Sequence, residues 1–213
     1  MNIILFGPPG AGKGTQAQFI VKKHNYFQLS TGNLLREESK LKTPIGNEIE
    51  LLISKGKFAS DEIVNKLLRQ SITNLKFRDR IIFDGYPRNV EQAKNLDTIL
   101  LEFDQTIGHI IFLNVSKDII KKRIMGRMTC DKCNMTLNEF FNKEEIELHP
   151  CGKEFLNKRN DDNLDVVVSR YETYMQTTKP VLDFYSKNLN FTEIDGAAEI
   201  DEITNKINEV LNV

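Results

Sequence analysis

The sequence predicts an α/β fold, a parallel five-stranded sheet with helices on both faces. Three observations predict it. Short β-rich runs alternate with longer amphipathic ones, the pattern of parallel strands joined by crossover helices. Two of these runs, Ile81–Phe83 and Ile110–Leu113, are continuously apolar, as strands covered on both faces are. The apolar Ile3–Phe6 passes straight into a glycine-rich turn with a helical pattern behind it.

In chain order, Asn2–Phe6 reads as the first strand and Lys13–Lys23 as its crossover helix. Tyr26–Leu29 is the second strand. Thr31–Ala59 holds helical pieces but no strand, and it separates the second strand from the third. The helix Asp61–Asn74 leads into the strand Arg80–Asp84, and the helix Val90–Leu101 into the strand His109–Asn114. Lys117–Met125 is helical. Met128–Lys158 then breaks the pattern, carries every cysteine, and is rich in Asn, Lys and Glu. Leu164–Ser186 resumes as one long helix, followed by the strand Asn190–Ile194 and the helix Glu199–Leu211. The two stretches outside the alternation read as insertions at the carboxyl ends of the strands, the edge where open α/β sheets bind ligands.

Composition narrows the function. The 213 residues suit one domain with insertions, and 40% hydrophobic with 28% charged residues is ordinary for a globular protein. A net charge of −1 argues against a dedicated nucleic-acid binder. No apolar run approaches the ~20 residues that span a bilayer. The start, MNIILFGPPG, lacks the basic segment of a signal peptide. The 3 cysteines, Cys130, Cys133 and Cys151, are odd in number and speak for a reducing compartment, so the cytoplasm is expected.

The turn Gly7-Pro8-Pro9-Gly10-Ala11-Gly12-Lys13-Gly14-Thr15 carries the most specific chemistry. Glycines let backbone N–H groups turn inward around phosphate oxygens, and the following helix N-terminus adds partial positive charge. Lys13 reaches the terminal phosphates. The usual pattern has Ser or Thr directly after the Lys, whereas here Gly14 intervenes before Thr15. That shift resembles nucleoside monophosphate kinases rather than GTPases or motor ATPases. Magnesium would then depend less on a loop hydroxyl, and Asp84 is the candidate to hold it through water.

Two further motifs end the second and third strands. In Leu29-Ser30-Thr31-Gly32-Asn33-Leu34-Leu35-Arg36, Thr31 offers a hydrogen bond to a base or a cap for the next helix. Arg36 offers a bidentate fork for phosphate. In Asp84-Gly85-Tyr86-Pro87-Arg88 the glycine lets the backbone approach a flat ligand, and the amide of Gln92 can read a purine edge. A lone arginine is more often a solvated surface residue; two beside a phosphate loop are harder to dismiss.

The order and spacing of these motifs resemble the adenylate kinases. The similarity continues through Arg123-Ile124-Met125-Gly126-Arg127 and Arg159-Asn160-Asp161-Asp162 to Arg170, so it covers essentially the whole chain. It implies the long form of the family: a core of 1–30, 60–126 and 160–213, an AMP-binding insertion of 31–59, and a lid of 127–159. It further implies that Gly10, Ala11, Gly12, Lys13, Gly14 and Thr15 hold the ATP phosphates. Arg123 and Arg127 would lie by the donor nucleotide, and Ala198 would touch adenine through its backbone. AMP would be held by Thr31, Arg36, Lys57, Phe58, Ala59, Gly85, Tyr86, Pro87, Arg88 and Gln92, with Arg159 and Arg170 bridging the reacting phosphates. The family's aromatic lid contact to ATP has no obvious match near Thr136 and Leu137.

The expected function is reversible, in-line phosphoryl transfer from magnesium-bound ATP to AMP, giving two ADP. Such transfer leaves a protein little covalent work, so positioning and charge neutralisation carry it. Lys13, Arg36, Arg88, Arg123, Arg159 and Arg170 would supply the charge. A monomer is expected, with no membrane or nucleic-acid partner.

The cysteines raise a separate question. Cys130 and Cys133 form a CxxC knuckle, and Cys151 returns further on; long adenylate kinases with this lid often carry a structural zinc. The fourth ligand is either His149 or Glu154, and the softness of zinc favours His149. The competing reading is a lid held by apolar contacts, with Phe140, Phe141, Ile146 and Leu148 as its main apolar material. Rival functions are a kinase for UMP, CMP or GMP, and a P-loop protein that exchanges nucleotide without transfer. The second arginine set is superfluous in the latter.

Overall fold

The structure is a computed structural model and describes residues 1–55, 57–73, 77–159 and 161–211. Asn74, the expected end of one helix, and Asn160 lie outside the described residues. The elements are β1 (Asn2–Phe6), α1 (Lys13–His24), β2 (Phe27–Ser30), α2 (Thr31–Lys40), α3 (Pro44–Ser54), α4 (Asp61–Ile72), β3 (Ile81–Asp84), α5 (Val90–Glu102), β4 (Ile107–Asn114) and α6 (Lys117–Met125). They continue with β5 (Arg127–Cys130), β6 (Thr136–Asn138), α7 (Lys143–Glu147), β7 (Leu156–Asn157), α8 (Leu164–Thr173), α9 (Lys179–Tyr185), β8 (Phe191–Asp195) and α10 (Ile200–Val210).

Five strands form one parallel sheet in the order β2-β3-β1-β4-β8. Strand alternation sends Ile4 and Phe6 to one face, with Phe83 and Ile110, where α4, α5 and α9 cover them. Ile3 and Leu5 go to the other, with Ile82 and Ile111, under α1, α6, α8 and α10. Each such side chain taken fully from water contributes about 1.5–3 kcal/mol, and this double cover is why β1 is apolar from Ile3 to Phe6 and β3 from Ile81 to Phe83.

The chain order places the site. From β1 the chain moves outward through α1 to β2, returns to β3, and then crosses to β4 on the far side of β1. The reversal leaves the carboxyl ends of β1 and β3 side by side, with Leu5 paired to Asp84 and Ser30 paired to Asp84 from the other flank. A crevice opens at such a point.

The two insertions are built differently. In Thr31–Ala59, α2 and α3 form a helical pair, as expected; Thr43 caps α3 by accepting the Gly46 N–H at 2.9 Å, with Pro44 at its start. Leu35 and Ile49 tie the pair into the core. Thr31 caps nothing: Ser30 stands at the N-cap of α2, and the Thr31 hydroxyl instead donates to Gly85 O at 2.9 Å. The second insertion holds an antiparallel sheet, order β6-β5-β7, where no strand was expected. These strands are only 4, 3 and 2 residues long, too short for a period-2 pattern to register.

The core of this small sheet corrects the sequence expectation. It consists of Cys130, Leu137 and Leu156, with Met128, Ile146, Cys151 and Phe155 against them. Of the expected apolar material only Ile146 packs there; Phe140, Phe141 and Leu148 are exposed. The expected single helix Leu164–Ser186 is also divided, by a π-helical turn at Tyr174–Thr178. Pro180, in the first turn of α9, lacks an N–H and crowds the preceding turn, which widens to admit it.

Candidate functional site

A cleft of about 640 Å³ opens at the strand reversal, lined by the glycine-rich turn, the ends of β2 and β3, α6, both insertions and α8. The turn begins as β1 ends. Gly10 and Gly12 hold φ of 81° and 95°, left-handed values that side chains resist, and Gly12 is the N-cap of α1. The turn thereby points the start of α1 into the cleft. Lys13 curls back across it, donating to Gly7 O at 2.8 Å and Pro8 O at 3.0 Å. Burial pushes its ammonium down to about 8, against the pull of Asp84.

Opposite the turn lies the end of β3. Asp84 accepts from Gln28 Nε2 at 2.8 Å and is nearly buried. Gly85 has φ 77°, and a Cβ there would stand 3.1 Å from Thr31 Oγ1 and 3.2 Å from an Arg88 nitrogen. The missing side chain lets Arg88 fold back, donating Nε–H to Gly85 O at 2.7 Å with its guanidinium 4.4 Å over the Phe58 ring. Arg36 donates to Asn33 Oδ1 at 2.6 Å.

The remaining cations arrive from distant sequence. Arg123 donates to Gly196 O at 2.7 Å and to Ala11 O at 3.3 Å, so α6 clamps the phosphate-type turn to the loop holding Ala198. Arg127 pairs with Asp162, and Arg170 with Asp161. Arg159 donates to Thr129 Oγ1 at 3.1 Å. Burial first, and mutual repulsion next, push the Arg88 and Arg159 guanidiniums below their ordinary range. A cleft that desolvates cations and sets them against one another is stabilised by a multiply charged anion.

Most of the sequence-predicted residues converge on this cleft. Gly10–Thr15, Arg36, Lys57, Phe58, Asp84, Gly85, Pro87, Arg88, Arg123, Arg127, Arg159, Arg170 and Ala198 line it. Thr31, Ala59, Tyr86 and Gln92 are buried behind its wall. Three partners were not legible as such: Gln28, Asp161 and Asp162 show no local signal, because each meets its partner only through the fold. The Asp162–Arg127 contact spans 35 residues and the Gln28–Asp84 contact 56.

The adenylate kinase family model matches residues 5–190. The chain is 80% identical to the adenylate kinase of Pelagibacter ubique (strain HTCC1062) over 213 residues, all of both chains. It is 43% identical to the adenylate kinase of Fusobacterium nucleatum over 99% of this chain and 98% of that one. It is 40% identical to that of Novosphingobium aromaticivorans, over 99% of each.

The chain belongs to the adenylate kinase family.

The second insertion brings together four metal-type donors. The ligand atoms of Cys130, Cys133, His149 and Cys151 all lie within 4.8 Å of one another. Glu154 is not in this group. His149 Nε2 stands 3.7 Å from Cys133 Sγ, and its Nδ1 is buried without a partner. Burial works against it, yet hydrogen bonds from the Cys133 backbone and His149 hold the Cys130 thiol down to about 6, favouring thiolate. Three sulfurs and an imidazole gathered within 4.8 Å are the donor chemistry of a structural zinc. Among the described residues, no helix is long and apolar enough to cross a membrane.

Proposed function

We propose that this chain catalyses reversible phosphoryl transfer between ATP and AMP, giving two ADP. The observation that carries the reading is one cleft with two cationic halves. The glycine-rich turn with Lys13 forms one half, and Arg36 and Arg88 at the ends of β2 and β3 form the other. A P-loop protein that only exchanges nucleotide has no use for the second half.

Gly10–Thr15 wrap the donor phosphates with backbone N–H groups, and Lys13 moves from Gly7 O and Pro8 O to phosphate oxygens. Arg123 and Arg127 flank the donor, and the Ala198 backbone meets its adenine. Thr31, Arg36, Lys57, Phe58, Ala59, Gly85–Arg88 and Gln92 form the acceptor side. Arg159 and Arg170 exchange their protein partners for the reacting phosphates, neutralising the charge on the transferring group. The acceptor is already an anion, so no general base is needed. Asp84, oriented by Gln28, is the residue that would hold magnesium through water, and the ion would supply further charge neutralisation.

Cys130, Cys133, His149 and Cys151 would hold one zinc, whose contribution is to the fold of the lid. Thiols kept free for a metal suit a reducing cytoplasm, and one chain supplies both halves of the cleft, so a monomer suffices.

The test is a coupled assay of ADP formation from ATP and AMP, with total zinc measured on the same sample. Lys13→Met should lose about 100-fold or more in turnover with its circular dichroism unchanged. Near-normal turnover in that folded variant would sink the mechanism.

A further inference from the structure

The acceptor loop carries a hydrogen-bond network in which each partner has one role open to it. The Arg88 backbone N–H, which can only donate, meets Gln92 Oε1 at 2.7 Å. The Asp61 carboxylate, which as an anion only accepts, takes a hydrogen from Gln92 Nε2 at 2.6 Å. The same carboxylate accepts from Asn89 Nδ2 at 3.0 and 3.2 Å. Asn89 is oriented in turn, because its Oδ1 accepts the Gln92 backbone N–H at 2.7 Å and caps α5. The two ends of an amide have nearly the same shape and opposite chemistry, so its orientation is settled by its partners alone. Here a fixed donor and a fixed acceptor settle it. Turning the amide over would place Oε1 against the Asp61 carboxylate and Nε2–H against the Arg88 N–H. That breaks two bonds in a residue only 4% exposed.

We propose that Asp61 is a positioning residue that locks the Gln92 amide in the sense matching adenine, and so sets the preference for adenine over 6-oxopurine monophosphates. This rests on the reading of Gln92 and the Gly85–Arg88 loop as the acceptor-base site. After its bonds to Asp61 and Arg88, the amide keeps one N–H and one oxygen lone pair. Adenine offers an acceptor at N1 and a donor at its exocyclic amine, which the locked amide complements. Hypoxanthine offers an N1–H donor and an O6 acceptor, which need the amide reversed. The Gln92 amide joins the cleft wall at the Arg88 N–H, and Asp61, in the first turn of α4 and not among the lining residues, holds its nitrogen end. Asp61 therefore acts through Gln92 and not by touching the nucleotide. A site built around one hydrogen-bond pattern rejects the opposite one strongly, provided the pattern cannot turn over.

The experiment measures kcat/KM for AMP and for inosine monophosphate, at saturating ATP, in the full chain. Asp61→Ala removes the acceptor, and Asp61→Asn keeps the volume but offers Gln92 either end of its own amide. Both should lower the preference for AMP over inosine monophosphate by about tenfold, with KM for ATP unchanged. Glu62→Ala, which removes the neighbouring first-turn carboxylate of α4, should leave the preference alone. Should Asp61→Ala fold poorly, the isosteric Asp61→Asn carries the same comparison. Equal losses on both acceptors, or an unaltered preference, would overturn the proposal and reduce Asp61 to a structural role. A wild-type chain that phosphorylates neither acceptor would instead overturn the acceptor-site reading itself.

Discussion

Lys13 carries its charge at a desolvated, half-buried position facing the arginine side of the cleft. Its ammonium is pushed from 10.5 down to about 8. Between those values the unfolded chain keeps the proton and the folded one has lost it, so stability from this group rises with pH across that window. Below pH 8 the full desolvation cost is present. Catalysis has the opposite sign, because the neutral amine no longer attracts phosphate. We expect kcat/KM for ATP to fall as pH rises above about 8, and Lys13→Met to lose the rise in stability between pH 8 and 10.5; pH–rate profiles and denaturant melts check both. At the acceptor end, Arg88→Ala should lower kcat about 100-fold, since it removes a charged fork held by Gly85 O and Phe58. Arg36→Ala should raise KM for AMP much more than for ATP. Steady-state kinetics with each substrate varied decide this, and equal effects on both would move the acceptor pocket elsewhere.

At the scale of elements, the small β6-β5-β7 sheet is poorly self-sufficient. Its strands are too short to stand alone, and its core is Cys130, Leu137 and Leu156 with a few partly covered neighbours. A metal bound by four of its side chains would add stability that so small an apolar core lacks. Chelation is therefore expected to lower the melting temperature more than it lowers activity at room temperature. His149→Ala should release zinc far more readily than Glu154→Ala, since the structure puts His149 among the sulfurs and leaves Glu154 out. Metal analysis after dialysis of the two variants tests the order, and the reverse order would make Glu154 the fourth ligand.

At the scale of the whole molecule, the cleft is shared by parts that the fold holds at its edges. Arg170 of α8 and Arg127 of β5 already have carboxylate partners, Asp161 and Asp162, which hold them before nucleotide arrives. We expect nucleotide binding to exchange those partners and exclude water as Thr31–Ala59 and Met128–Lys158 close. An analogue joining two adenosines through phosphates should slow hydrogen exchange in both segments. Protection confined to Gly7–Thr15 would contradict a two-flap closure.

The sequence by itself determined the sheet, its strands to within one or two residues, the glycine-rich turn and the identity of most cations in the cleft. Most of this is written locally: periodicity in a strand, glycines where φ must be positive, Arg36 and Arg88 just past strand ends; Arg123, Arg127, Arg159 and Arg170 were implied only by the resemblance to the adenylate kinases. Three features were decided only by tertiary structure. The lid strands were too short to carry a period, so pairing between β5 and its neighbours defines them. The lid core excludes Phe140, Phe141 and Leu148, because burial depends on which face the small sheet turns inward. The partners of the functional groups, Gln28 for Asp84 and Asp61 for Gln92, come from separate elements, and no spacing encodes them. Gln92 shows the division clearly. The sequence supplied an amide able to read a purine edge in either sense, and the fold fixed the sense by setting a carboxylate on one side and a backbone N–H on the other.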